Sequence, residues 1–280
     1  MSIDKLPQLN FGSHKISRLV VGANTINGGS HLSRFTNMQM KSYFTTDRIL
    51  EHLRRCEQAG INTWQSSTYN LDLYQMHRDQ GGSLQFISLG GDADDEPENL
   101  RRAKAAGTLG VAHHGELTDS NYKSGQFDKV REFCKLARDT GMMVGVSTHM
   151  PDAVQRILEE GWDVDFFMCC VYERHRTREE LAALLGHVPI PVTEVYLESD
   201  PPRMFHVMRQ TDKPCLAFKI LAAGRLCDQQ ETVEQAFQSS LMQMKPNDGI
   251  IVGMYPEFED QVELNAGYVR KHGGLSGSNK

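Results

Sequence analysis

The feature that constrains this chain most is a rhythm. Eight short runs rich in β-branched and aromatic residues recur along it, separated by stretches with the apolar period of a helix. The runs cover residues 18–22, 62–65, 85–89, 109–112, 143–146, 164–168, 215–218 and 249–252. Strands that alternate with helices pair in parallel, because each helix carries the chain back to the starting end of the sheet. Eight such units predict an α/β fold, a single (β/α)8 barrel. The 280 residues suit it, since such a barrel takes roughly 250. No Pro/Gly/Ser linker divides the chain, so 1–272 is expected to be one barrel and the Gly/Ser-rich 273–280 a flexible tail.

Helix ends are readable. Thr177 and Glu180 form a capping box opening 178–185, and Gly186 closes that helix. Residues 127–140 place Val130, Phe133, Cys134 and Leu136 on one face before Gly141, and 46–60 do the same with Leu50, Leu53 and Cys56. Two connections, 24–44 and 172–211, exceed simple barrel loops. Both follow strands, so they belong at the C-terminal face, where barrels keep their active sites. Either they form lids and substrate walls, or the second contains an extra strand around 191–198.

Composition removes whole classes of function. With 30 Lys+Arg against 36 Asp+Glu, the chain has no basic field for a nucleic acid. No apolar run approaches the roughly 18 residues of a membrane span, and the opening Met-Ser-Ile-Asp-Lys lacks the order of a signal peptide. Six cysteines, two of them adjacent, do not make a secreted disulfide framework. The expectation is a cytoplasmic enzyme with a small-molecule substrate, its oligomeric state left open.

Several segments resemble the aldo-keto reductases: 9–22 (LNFGSHKISRLVVG), 59–63 (AGINT), 145–147 (GVS), 221–226 (LAAGRL), and 253–257 (GMYPE) with Gln261, Glu263 and Asn265. The resemblance implies the family's barrel and a closing nucleotide-binding segment. It implies NADPH-dependent carbonyl reduction only where the family's catalytic set survives, and most of it does not. The Asp position reads Gln65, the Lys position falls at Gly90, and Tyr69 lies one residue short of the Tyr position, where Asn70 stands. His113 alone is in its expected place. A Tyr lacking its Lys and Asp neighbours keeps a pKa of roughly 10 and is a poor acid at neutral pH. Glu257, Glu259 and Asp260 stand where basic residues would meet a 2′-phosphate. The position of the aromatic that stacks on nicotinamide reads Phe218, and Lys219 replaces the small residue beside it.

The strand ends carry ligand-type side chains instead: His113 and His114 after strand four, His149 after five, Cys169 and Cys170 at six. Imidazole and thiolate suit zinc or a related transition metal, with Glu198 or Glu194 completing the shell. Strand residues alternate between faces, so one of each adjacent pair faces the pocket. The resemblance favours His113, and a slip of one residue would substitute His114. Lys219, within an apolar run, is a candidate for pairing a carboxylate, stabilising a developing oxyanion or forming a Schiff base. Tyr69 or Tyr172 is a candidate proton donor, and Asn24, Gln65, Glu194 and Arg225 are candidate substrate contacts. Ser147, Gly253 and Asn265 are the candidate nucleotide contacts.

The leading expectation is a barrel that has lost NADPH-dependent reduction. It would use a divalent Zn, Mn or Fe on a small carbonyl- or polyol-bearing substrate, such as a sugar derivative, as a lyase, isomerase or hydrolase. A divergent NAD(P)H oxidoreductase using His113 and Tyr69, and a non-catalytic ligand-binding barrel, are the alternatives.

Overall fold

The computed structural model of the protein describes residues 6–190 and 194–274. The expected tail lies mostly outside the described residues. An antiparallel hairpin comes first, β1 (Gln8–Phe11) and β2 (His14–Ser17), turning at Gly12 with φ +59°. All eight predicted strands follow: β3 (Leu19–Gly22), β4 (Thr63–Ser67), β5 (Gln85–Gly90), β6 (Gly110–His113), β7 (Met143–Thr148), β8 (Phe166–Cys170), β9 (Cys215–Phe218) and β10 (Gly249–Gly253). They pair in parallel in chain order, and β10 closes on β3. The (β/α)8 barrel is therefore confirmed.

Period-two alternation sorts the strand residues into two packed layers. Val20, Ile87, Ala112, Phe166, Met168, Leu216 and Ile251 fill the barrel's interior. Leu9, Phe11 and Ile16 of the hairpin join them, with Phe11 4.8 Å from Phe166, so the hairpin plugs the N-terminal end. Alternate residues such as Val111, Val144, Phe167 and Cys169 face the helices. The floor is thus solid, and only the C-terminal face is left for a cavity.

The helices are α1 (Arg34–Tyr43), α2 (Thr46–Gln58), α3 (Leu71–Asp79), α4 (Glu96–Ala105), α5 (Gly115–Lys123), α6 (Asp128–Asp139), α7 (Pro151–Glu159), α8 (Arg178–Leu185), α9 (Asp200–Met208), α10 (Gln230–Gln243) and α11 (Gln261–His272). The capping box of Thr177 and Glu180 forms as read, and Gly186 takes φ +74° at the C-cap. In α6 the buried face is Val130, Phe133, Cys134 and Ala137, while Leu136 is exposed; positions 3, 4 and 7 beyond Val130 share its side of the helix, and position 6 does not. Both long connections leave the C-terminal ends of their strands. The first contains α1, and the second α8 followed by α9. Residues 194–199 form no strand, and 191–193 lie outside the described residues.

Candidate functional site

A cavity of about 620 Å³ opens at the C-terminal face, lined from the ends of β3 through β10. Its polar chemistry begins where β6 meets α5. Gly115 opens that helix, and a Cβ there would come within 3.0 Å of Ser147 Oγ and 3.2 Å of His149 Cε1. The glycine lets the first turn of α5 lie directly against the end of β7. Glu116 and Asp119, three residues apart, then share a helix face toward it.

Asp119 is buried and receives three donors: Thr148 Oγ1, the backbone N–H of His149 (3.2 Å), and His149 Nδ1 (2.7 Å). That bond places the His149 proton on Nδ1 and leaves Nε2 with a free lone pair. Burial pushes the imidazole down to about 4, against the pull of Asp119, so the ring is neutral at pH 7. His149 packs edge-on against His175 (4.8 Å between centroids) and Phe218 (5.4 Å). His175 Nε2 lies 3.1 Å from Glu116 Oε2 and 3.4 Å from Asp119 Oδ2, yet it is buried and makes no well-directed hydrogen bond. One ligand atom each from Glu116, His149 and His175 falls within 4.8 Å of the others. Glu116 and His149 line the cavity directly, and His175 stands behind them.

Arg174 links this cluster to the long connections. It pairs with Glu116 on one side and Glu194 on the other. Glu194 also binds His31 of the first connection (2.8 Å) and accepts from Tyr196 Oη (3.0 Å). Burial works against the Glu194 carboxylate, but His31, Arg174 and Tyr196 hold it down at about 2. His31 and Glu194 both adopt positive φ, +59° and +63°, so the clasp between the two connections is set at strained backbone positions.

Lys219 lines the cavity just beyond β9, with φ +61° and Nζ 5.8 Å from the Phe218 ring centre. No carboxylate lies within ion-pair distance among the described residues, which removes the carboxylate-pairing reading. Burial and Arg174 push its ammonium pKa down, although Cys170 and Glu194 oppose this.

Several expected site residues lie elsewhere. His113 points outward: its Nδ1 meets Thr118 Oγ1 at 2.7 Å, and its ring packs on Phe133. Thr118 spends its own proton on the His114 carbonyl, so His113 is the donor. His114 lines the cavity instead, because Ala112 is inward and parity then excludes His113. The same parity turns Cys169 into the helix layer, away from the cavity; its neighbour Cys215, and then burial, raise that thiol well above its ordinary value. Burial lifts Cys170 to about 12, and it does not line the cavity either. Glu198 is exposed and away from the cavity. Tyr69 is 74% exposed, on the outside of a short turn. Tyr172 is buried against Tyr196, with its hydroxyl pKa raised, and does not reach the cavity. Arg225 stacks 4.2 Å over Tyr196 and donates to the His31 carbonyl, serving the loops rather than a ligand. Glu194 acts through the clasp and does not line the cavity. Asn24, Gln65, Ser147, Gly253 and Asn265 do line it.

The reductase positions fare poorly. Asn70, at the Tyr position, is buried and ties Ser66 Oγ (2.7 Å) to Asn27 (3.0 Å). Gly90, at the Lys position, has no room for a side chain: a Cβ would meet Glu96 Oε1 at 2.9 Å and Phe133 at 3.1 Å. A dinucleotide phosphate needs cations or open helix N–H groups. Among the described residues Lys219 is the single Lys or Arg that lines the cavity. The N-terminus of α11 is closed by Asp260, which accepts from Glu263 N. Among the described residues the groove thus offers the phosphates of NADPH no cation but Lys219.

No family model matches the chain, and no curated protein matches it. Solved structures define the class of fold. The glycerol dehydrogenase AKR11B4 from Gluconobacter oxydans is similar over 100% of this chain and 92% of its own (TM-score 0.54, 12% identity). A truncated 3-deoxy-D-arabino-heptulosonate 7-phosphate synthase from Thermotoga maritima is similar over 95% and 91% (0.53, 12%). The dihydropteroate synthase of Yersinia pestis is similar over 94% and 97% (0.51, 12%). At such identities the likeness establishes the barrel. One of the three is an aldo-keto reductase and two are not, so it does not single out that family.

Proposed function

We propose that the protein is a barrel enzyme using a divalent transition metal, Zn, Mn or Fe, on a small carbonyl- or polyol-bearing substrate. The reading rests on one observation: Glu116, His149 and His175 present ligand atoms within 4.8 Å of one another, with His149 Nδ1 locked on Asp119. Two imidazoles and a carboxylate are a donor set for such an ion, and a carboxylate behind a ligating His is the usual orienting partner. His175 Nε2, buried beside two carboxylates without a well-directed hydrogen bond, supports it further. A bound ion supplies Lewis acidity toward a carbonyl or hydroxyl oxygen.

The surrounding residues fill the other roles. Lys219 faces the cavity with no carboxylate at ion-pair distance among the described residues, and stabilises negative charge developing on the substrate oxygen. His114, its pKa lowered by burial and kept neutral, accepts or returns a proton. Ser147, Gln65 and Asn24 offer hydrogen bonds that orient the hydroxyls. Glu116 stays under the control of Arg174, whose charge is shared with Glu194. Lyase, isomerase and hydrolase outcomes fit this arrangement. Reduction is disfavoured, because among the described residues Lys219 is the one Lys or Arg lining the groove, and the Tyr and Lys positions of a reductase read Asn70 and Gly90.

Elemental analysis of untagged protein purified without chelator tests the reading. About one ion per chain is expected, lost in His149→Ala. Metal-free wild-type protein that also fails to take up zinc or manganese on titration ends it.

A further inference from the structure

The cavity is larger than a small polyol requires. Its volume of about 620 Å³ lies within the roughly 300–1,000 Å³ of sites that bury drug-sized ligands. Its second half, under β10, α10 and α11, differs chemically from the half around Lys219. Val233, Leu264, Met40 and Val252 give it an apolar surface.

Most of the polar side chains there are already bonded to protein groups; the Asn265 amide and Gln261 Nε2 are the ones that make no hydrogen bond among the described residues. Gln230 donates to Glu259 (2.8 Å) and accepts from Tyr268 Oη (2.9 Å). Gln261 accepts from the Tyr255 N–H (2.8 Å), and Thr25 donates to the Met254 carbonyl (2.9 Å). A ligand entering this half meets mainly apolar atoms and the bonded Gln230 amide, with the amide of Asn265 as a neutral polar contact and the negative charge of Glu259 beside them. Anions are repelled, and uncharged apolar groups gain from leaving water.

We infer that this half of the cavity binds an uncharged, apolar extension of the same substrate whose polar head meets Lys219 and His149. The substrate class is then an amphipathic molecule: a polyol or carbonyl head bearing an aromatic or alkyl group, such as an aryl glycoside. The identity of the head rests on the proposed function, but the apolar subsite does not depend on the metal.

The neutral dye N-phenylnaphthylamine probes the subsite directly by fluorescence on the full chain. Saturable binding at one site per chain is expected. It should weaken at least about tenfold in Leu264→Glu, which places a charge against apolar surface. Leu264→Ala, with far-ultraviolet circular dichroism on both variants, separates loss of the subsite from loss of the fold; it should weaken binding less. Removing metal with chelator, or His149→Ala, should leave dye binding intact, so failure of the metal reading and failure of this one are distinguishable. In competition, nitrophenyl glucoside should displace the dye at concentrations at least about tenfold below methyl glucoside, from the added apolar area. No saturable dye site, unchanged binding in Leu264→Glu, equal or absent displacement by the two glucosides, or displacement by NADPH below millimolar concentration would each overturn the inference.

Discussion

The two walls of the cavity share one barrel and one solvent, yet they spend their hydrogen-bonding capacity in opposite ways. On the wall built by the ends of β6 to β9, His175 Nε2 stands beside the Glu116 and Asp119 carboxylates without a well-directed hydrogen bond, and among the described residues His149 Nε2 and Lys219 Nζ make none. On the wall of β10, α10 and α11, Gln230, Gln261 and Thr25 are bonded to protein groups, and Asn265 is the exception among the described residues. Orphaned polar atoms in a buried site carry an energetic cost that a ligand or ion can relieve. The first wall is therefore organised for chemistry, and the second for shape and apolar contact.

The hardest test of that contrast is Asp119→Ala. It strips three donors of their acceptor and leaves a buried imidazole unanchored, so urea unfolding should show a loss of about 3–5 kcal/mol. The milder Asp119→Asn should reduce metal affinity by about 10–100-fold in a zinc competition assay. A loss under about 1 kcal/mol for the alanine variant would mean that the polar wall is not organised by this carboxylate.

Acid comes next. His149 and His113 are held at about 4, below the ordinary 6.5 of an exposed imidazole. The unfolded chain then binds more protons between those values, so their contribution to stability is complete above pH 6.5 and is lost as pH falls toward 4. Each group should remove about 1.4 kcal/mol per pH unit across that window. Urea midpoints at a series of pH values read the slope, and His113→Asn should flatten it by one group's share while leaving metal content unchanged. An equal slope in that variant would show that His113 is not held neutral in the helix layer.

The apolar wall should respond differently. Val233→Ala removes buried methyls beside the cavity and should cost about 1–2 kcal/mol in unfolding with no change in metal per chain. A change in metal content would couple the two walls and erase the distinction. The smallest effect belongs to Tyr69→Phe, on the exposed turn, expected within about 0.5 kcal/mol of wild type with metal and activity unaltered. A large loss of activity there would restore Tyr69 as a proton donor and favour the reductase alternative.

Much of this was legible in the chain. All eight strands, the capping box at Thr177 and the concentration of ligand-type residues after strands four and five follow from local pattern, because strand period and helix capping depend on near neighbours. His149 and Lys219 stood out as polar residues at the ends of apolar runs, and both line the cavity. The choice between His113 and His114 hung on a parity of one residue, which the pairing of β6 with β5 and β7 fixes. Cys169 failed for the same reason. The clues to Glu116 and Asp119 were present, three residues apart just after the histidine pair, but their meaning needed the packing of α5 on β7.

By itself the sequence determined the barrel, its order of strands, the end at which a site must lie and the absence of most of a reductase's catalytic groups. Tertiary structure alone decided that Glu116, His149 and His175 converge, that Asp119 sets the tautomer of His149, and that Arg174 and Glu194 join the two long connections above them. The physical reason is range. Periodicity and caps act over three or four residues, whereas a ligand cluster is made by side chains 26 to 59 positions apart whose directions are set only when neighbouring strands settle their register.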